Sequence, residues 1–180
     1  MKQQLATAIA TWFWSGKSPK APGTVGSLAA LPFAWAVQTY AGPLGMILAA
    51  LLLLLLGAWA TGVYMKATGR QDPGEVVIDE VVGIFIILTP FPFTWQAYLL
   101  GFALFRVFDV LKPWPIRAID QRWHSAFGVM ADDILAALYP YFLLVAGAVL
   151  AAMAGYPLNL EWATGWMLPE TSPIILLVQP

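Results

Sequence analysis

The chain has no cysteine, a single histidine (His124) and little charge: Lys, Arg, Asp and Glu make up 11% of its 180 residues. The missing cysteine excludes disulfides, Cys-ligated zinc and a cysteine nucleophile. One histidine is too few for a paired-histidine phosphatase site, and no Asp-x-Asp offers a phospho-aspartate nucleophile of the common soluble kind. A net charge of −1 gives no electrostatic case for nucleic acid. No internal repeat is present. The stretch 1–10 does not read as a signal peptide, because its apolar run is short and carries Gln3, Gln4 and Thr7.

What the chain has is hydrocarbon. Hydrophobic residues make up 60%, far above the soluble average, which predicts an integral membrane protein. The length predicts a single domain over 1–180, with a motif-bearing core over about 17–155 and a tail over 156–180 without an assigned role. Apolar runs over 28–40 and 44–64 are separated by Gly42-Pro43, and the second contains six consecutive leucines, Leu51 to Leu56. A third helix is predicted from Asp72 as N-cap, with Pro73 at the first helical position and Glu75 at the capping-box position, to about Thr89. Pro90 and Pro92 stop it. Only nine residues lie beyond Glu80 in it, roughly 13 Å of helix, under half the hydrocarbon thickness. A fourth helix is predicted over 93–111, closed by Lys112-Pro113-Trp114-Pro115. A polar, amphipathic segment over 116–129 carries Arg117, Asp120, Arg122 and His124. A fifth helix is predicted over 130–154, opening at Asp132-Asp133 and kinked at Pro140. The stretch 5–14 has the aromatic character of an interfacial anchor.

All nine Lys and Arg fall in the N-terminal segment, the 66–70 loop or the stretch from Arg106 to Arg122. The positive-inside rule then places these segments in the cytoplasm and the tail, with Glu161 and Glu170, outside. The prediction is an all-α polytopic membrane protein of about five transmembrane or half-spanning helices. Its acidic residues gather at the cytoplasmic leaflet.

That gathering is the chain's main chemical feature. Eight of the ten acids lie between Asp72 and Asp133. In so apolar a sequence each must be held by something. Glu75 and Asp79 are four apart and would share a helix face. Glu75 reads equally as a capping residue or a ligand. Asp79, flanked by Val76, Val77, Ile78, Val81 and Val82, sits too deep for a cap. Capping explains one of Asp132 and Asp133, not both. Arg106, Asp109 and Lys112 recur every third residue, either as a boundary ion-pair stripe or as a metal and anion site. The loop Gly23-Thr24-Val25-Gly26-Ser27 offers backbone N–H groups at a helix start, with Ser27 or Thr24 as its N-cap, either as a tight turn or as an anion site. It lacks the Gly-Lys-Ser/Thr end of a phosphate-binding P-loop. Clustered carboxylates without soft donors suit a hard divalent cation such as Mg²⁺. Flanked by Arg and Lys at a leaflet surface, they point to phosphate chemistry on a lipid headgroup.

Four blocks together resemble bacterial phosphatidylglycerophosphatase A. They are Pro22-Gly-Thr-Val-Gly-Ser27, Glu75-Val-Val-Ile-Asp-Glu80-Val-Val-Gly83, Phe105-Arg-Val-Phe-Asp109-Val-Leu-Lys112-Pro-Trp-Pro115 and Gly128-Val-Met-Ala-Asp132-Asp133-Ile-Leu. The resemblance implies a Mg²⁺-dependent inner-membrane enzyme with an all-helical fold. It would hydrolyse phosphatidylglycerophosphate to phosphatidylglycerol and phosphate. It further implies that Glu75, Asp79, Glu80, Asp109, Asp132 and Asp133 are metal ligands or catalytic acids. Lys112 and Arg106 would lie near the phosphate, with Thr24, Gly26 and Ser27 beside the substrate. A cation-coupled transporter or channel subunit and a lipid phosphotransferase are the alternatives. The acids line one leaflet rather than a path through the bilayer, and the Asp-Gly…Ala-Arg…Asp…Asp spacing of CDP-alcohol transferases is absent.

Overall fold

The computed structural model of the chain describes residues 2–71, 73–91, 93–114, 116–117 and 125–154. Among these the structure is helical, without strands: α1 (Lys2–Ala10), a 3-10 turn (Ser15–Lys17), α2 (Pro22–Thr68), α3 (Ile78–Leu88), α4 (Trp95–Leu111) and α5 (Ala126–Met153). Asp72, Pro92, Pro115, Asp120, Arg122, His124 and the tail with Glu161 and Glu170 lie outside the described residues.

The break at Gly42-Pro43 is present. Gly42 has φ 61° and ψ −163°, a backbone conformation only glycine adopts at little cost, and it divides α2 into two helical segments. The start of α2 differs from expectation. Neither Thr24 nor Ser27 caps it. Pro22 occupies the first turn, following Ala21 in the left-handed region (φ 46°). That puts Ser27 inside the helix, where its hydroxyl donates to Gly23 O at 2.8 Å.

The third helix, by contrast, starts late. Residues 73–77 are not helical: the Val76 N–H closes a turn onto Pro73 O at 2.9 Å, Val77 has φ −140° and ψ 8°, and α3 begins only at Ile78. Val76 and Val77 are β-branched, which lowers their helix propensity. The Val77 N–H donates to Ala10 O at 2.9 Å, a bond to α1 that a continuing helix would forbid. Asp79 and Glu80 therefore open α3 instead of lying two turns into it.

α3 is the centre of the bundle. Its eleven residues span roughly 16 Å, and all but Glu80 and Ile86 are buried. It packs against α2, α4 and α5, with the buried Phe105 of α4 lying against Gly83. A helix enclosed on all sides is apolar all round, which explains its unbroken Val/Ile/Phe run.

α5 starts earlier than predicted. Ser125 caps it, its Oγ accepting from the Gly128 N–H at 3.1 Å. Asp132 and Asp133 thus lie almost two turns in, beyond any capping role. Two described helices are long and apolar enough to cross a membrane by length and composition, Pro22–Thr68 and Ala126–Leu143. α3 and α4 are shorter than that.

Candidate active site

The first turn of α3, the last two turns of α4, the first two turns of α5 and the N-terminus of α2 meet around a polar cavity of ≈ 280 Å³. Asp79, Glu80, Arg106, Asp109, Lys112, Asp132 and Asp133 line it, with Gly23 and Gly74 at its wall. The volume is close to the low end for small-ligand pockets, about 300 Å³.

Three acids form the core. Asp79, Glu80 and Asp133 each offer a carboxylate oxygen, and these oxygens lie within 4.8 Å of one another. Asp79 and Asp133 are buried. The α3 backbone fixes one of them, since the Glu80 N–H donates to Asp79 Oδ1 at 3.0 Å. Like charges this close, largely shut off from water, repel strongly unless a cation joins them.

The other two acids of the cavity are held by cations from the end of α4. Arg106 Nη1 lies 2.8 Å from Asp109 Oδ2, across one turn, and 3.9 Å from Glu80 Oε1. Lys112 Nζ donates to Asp132 Oδ2 at 2.7 Å. Lys112 itself ends α4 in the left-handed region (φ 40°). This is uncommon for a residue other than glycine, and it turns the chain into Pro113.

Two buried groups are left over. Glu80 Oε2 and Arg106 Nε make no hydrogen bond among the described residues. Buried polar atoms are ordinarily paired. An acceptor and a donor left open in one cavity fit a cation and an anion bound together. The donor set is all carboxylate oxygen, which fits a hard divalent ion.

Not every predicted residue is here. Glu75 lies outside the cluster. Arg70 Nη2 donates to its two carboxylate oxygens at 2.6 and 2.8 Å, and these bonds hold its carboxyl below the ordinary glutamate value. The reason is the late start of α3: with 73–77 not helical, Glu75 and Asp79 share no face. Thr24, Gly26 and Ser27 do not line the cavity either. Gly26 faces Val77, and Ser27 is buried within α2.

Gly23 takes their place. A Cβ there would collide with Glu80 Oε1 and sit 3.1 Å from Arg106 Nη1. The N-terminal turn of α2, with its unpaired N–H groups, therefore abuts the Glu80–Arg106 pair. The signal for Gly23 was its position just after Pro22, which marks a helix start and hence an anion-facing end.

The family profile described as phosphatidylglycerophosphatase A matches residues 8–154. This span contains every side chain of the cavity. The chain belongs to the phosphatidylglycerophosphatase A family. As a member it is a phosphatase. The Haemophilus influenzae phosphatidylglycerophosphatase A is 40% identical over 139 residues, covering 77% of this chain and 85% of that protein. The Escherichia coli phosphatidylglycerophosphatase A is 41% identical over 129 residues, covering 71% and 74%. A Bacteroides thetaiotaomicron protein with the provisional name phosphatidylinositol-3-phosphatase is 39% identical over 148 residues, covering 78% and 91%. No solved structure matches the chain.

Proposed function

We propose that this chain is a Mg²⁺-dependent phosphatidylglycerophosphatase of a bacterial inner membrane, working at the cytoplasmic leaflet. The observation that carries the reading is the trio Asp79, Glu80 and Asp133 beside Arg106 and Lys112 in one cavity. The names of the two phosphatidylglycerophosphatase A relatives supply the substrate.

Asp79, Glu80 and Asp133 would hold the ion. Bound there, Mg²⁺ supplies charge for the phosphate oxygens and makes a water molecule more acidic. Arg106, with its open Nε, binds the phosphate, and Asp109 fixes the guanidinium in place. The N–H groups at the start of α2 face the same anion. Hydrolysis forms one P–O bond to water and breaks the P–O bond to the glycerol oxygen. A carboxylate of the trio takes the proton that water loses. Lys112, aligned by Asp132, gives a proton to the departing glycerol oxygen. Glu75 has no part in these steps; its ion pair with Arg70 ties the α2–α3 connection.

Membrane residence is supported by the outer surface. Leu44, Leu48, Leu51, Leu52 and Leu55 on α2, Leu99, Val107 and Val110 on α4, and Phe142, Leu143 and Leu150 on α5 are exposed. A patch of this extent on a soluble monomer marks an interface or aggregates. A multi-pass arrangement of about five segments has α3 buried inside the bundle, where a helix of about half the hydrocarbon thickness needs no lipid contact of its own. The confinement of Lys and Arg to three segments supports the orientation.

The third relative's name makes an inositol lipid the rival substrate. Purified protein should be given phosphatidylglycerophosphate and phosphatidylinositol 3-phosphate in the same mixed micelles. Phosphate release from the first at ten or more times the kcat/KM of the second is expected, on the order of one or two well-placed hydrogen bonds. The reverse order would reassign the substrate, and release from neither would reopen the transporter and phosphotransferase readings.

A further inference from the structure

We propose that an apolar cavity beneath the acidic cluster holds an acyl chain of the lipid whose phosphate the cluster handles. This rests on the lipid-phosphatase reading above. The cavity measures ≈ 480 Å³ and opens between the second segment of α2, α3 and α5; Ala50, Leu54, Val82, Ile86, Ala137 and Tyr141 are among its lining. Its volume is ordinary for a ligand site, where about 300–1,000 Å³ is usual. Its lining is almost wholly hydrocarbon, so the ligand chemistry it suits is a hydrocarbon chain and not a second headgroup.

Helix register ties this cavity to the acids. On α3, Asp79, Val82 and Ile86 follow one another at spacings of three and four and so share a face. On α5, Asp133, Ala137 and Tyr141 are spaced by four and share another. Each helix thus carries a cluster carboxylate at the head of a stripe and the cavity wall further along it. At 1.5 Å per residue, Val82 lies about 4.5 Å and Ile86 about 10.5 Å along α3 from Asp79. A glycerophospholipid with its terminal phosphate at the carboxylates carries its hydrocarbon in the same direction. The occupant is therefore the substrate's own chain and not a passing bilayer lipid: only the substrate is fixed at its head by the acids.

The test uses the full-length protein in mixed micelles of constant detergent. Its substrates are long-chain and short-chain phosphatidylglycerophosphate and the deacylated headgroup, glycerophosphoglycerophosphate. Wild type should show kcat/KM rising with chain length. Ile86→Trp and Leu54→Trp fill the cavity from opposite walls. Each should lower the ratio of long-chain to deacylated kcat/KM by about tenfold or more. Leu99→Trp, on the exposed face of α4, should keep the wild-type ratio. In wild type, a substrate analogue with a diazirine near its chain terminus should label the Val82–Ile86 and Ala137–Tyr141 stripes. Excess unlabelled substrate should compete that labelling away, and phosphatidylcholine should not.

A wild-type ratio independent of chain length overturns the proposal. So does Leu99→Trp moving the ratio as far as Ile86→Trp, or label spread evenly over exposed residues such as Leu55 and Val110. Labelling competed equally by phosphatidylcholine identifies a bulk-lipid groove and also overturns it. These failures are distinct from failure of the phosphatase reading, in which wild type releases phosphate from none of the three substrates.

Discussion

Replacing Gly23 by alanine should abolish most activity while leaving the fold intact. The added Cβ would collide with Glu80 Oε1 and approach Arg106 Nη1 to 3.1 Å. Relief requires either the first turn of α2 to back away or Glu80 to swing out of the trio. A shift of about 1 Å in a positioned catalytic group costs on the order of a hundredfold in rate, and that is the expected loss in kcat. The helix itself should not suffer, since alanine is favoured over glycine in a helix by about 1 kcal/mol. Gly62→Ala is the control: its Cβ would meet only Ala126 Cβ, at 3.7 Å, and full activity is expected. The assay is phosphate release from phosphatidylglycerophosphate micelles, with helical content followed by circular dichroism. Wild-type turnover by Gly23→Ala would refute the packing of α2 against the Glu80–Arg106 pair. Equal losses in Gly23→Ala and Gly62→Ala would show a general intolerance of α2 and refute it equally.

Asp79→Asn and Asp133→Asn should each lower kcat by about a hundredfold or more, whereas Glu75→Gln should stay within a few-fold; phosphate release by the three folded variants checks this. The Glu75–Arg70 pair should still affect stability. Its folded carboxyl titrates below the ordinary value of 4.5, so its contribution is present above that pH and is lost as pH falls through the lower folded value. With side chains 34% and 50% exposed, that contribution is screened by solvent and small. Thermal unfolding of Glu75→Gln in detergent should show a small loss at neutral pH that disappears in acid. Tyr98→Phe removes the hydroxyl that donates to Gln38 Oε1. It should destabilise by about 1–3 kcal/mol, read as a lower unfolding midpoint with kcat unchanged.

Much of the framework was legible in the sequence because local signals governed it. Gly42-Pro43 broke α2 where a glycine can take positive φ and a proline cannot continue a ladder. The fourth helix starts two residues after the expected 93, with Thr94 Oγ1 accepting from the Ala97 N–H at 3.3 Å as its cap, and Lys112-Pro113 ends it as expected. What escaped depended on partners distant in sequence. Asp72-Pro73-Gly74-Glu75 has the composition of a helix start, yet the Val77 N–H is taken by Ala10 O, 67 positions upstream, and the helix waits for Ile78. Glu75 left the site for that reason, and Asp79 moved from helix interior to helix mouth. Asp109 was legible together with its cation, since Arg106 lies one turn away in the ion-pair stripe; the cation of Asp132 was not, because the Lys112–Asp132 bond joins two helices across twenty positions. Ser125 as the cap of α5 had a local signal, a serine just before an apolar run, and it would have freed both Asp132 and Asp133 from a capping role.

On the function proposed above, Asp79, Glu80 and Asp133 work by holding a divalent cation against a lipid phosphate. The most direct measurement is phosphate release from phosphatidylglycerophosphate by the purified chain after exhaustive chelation, with Mg²⁺ then added back. Turnover should vanish in excess EDTA and return with Mg²⁺. Full turnover in EDTA would contradict the account.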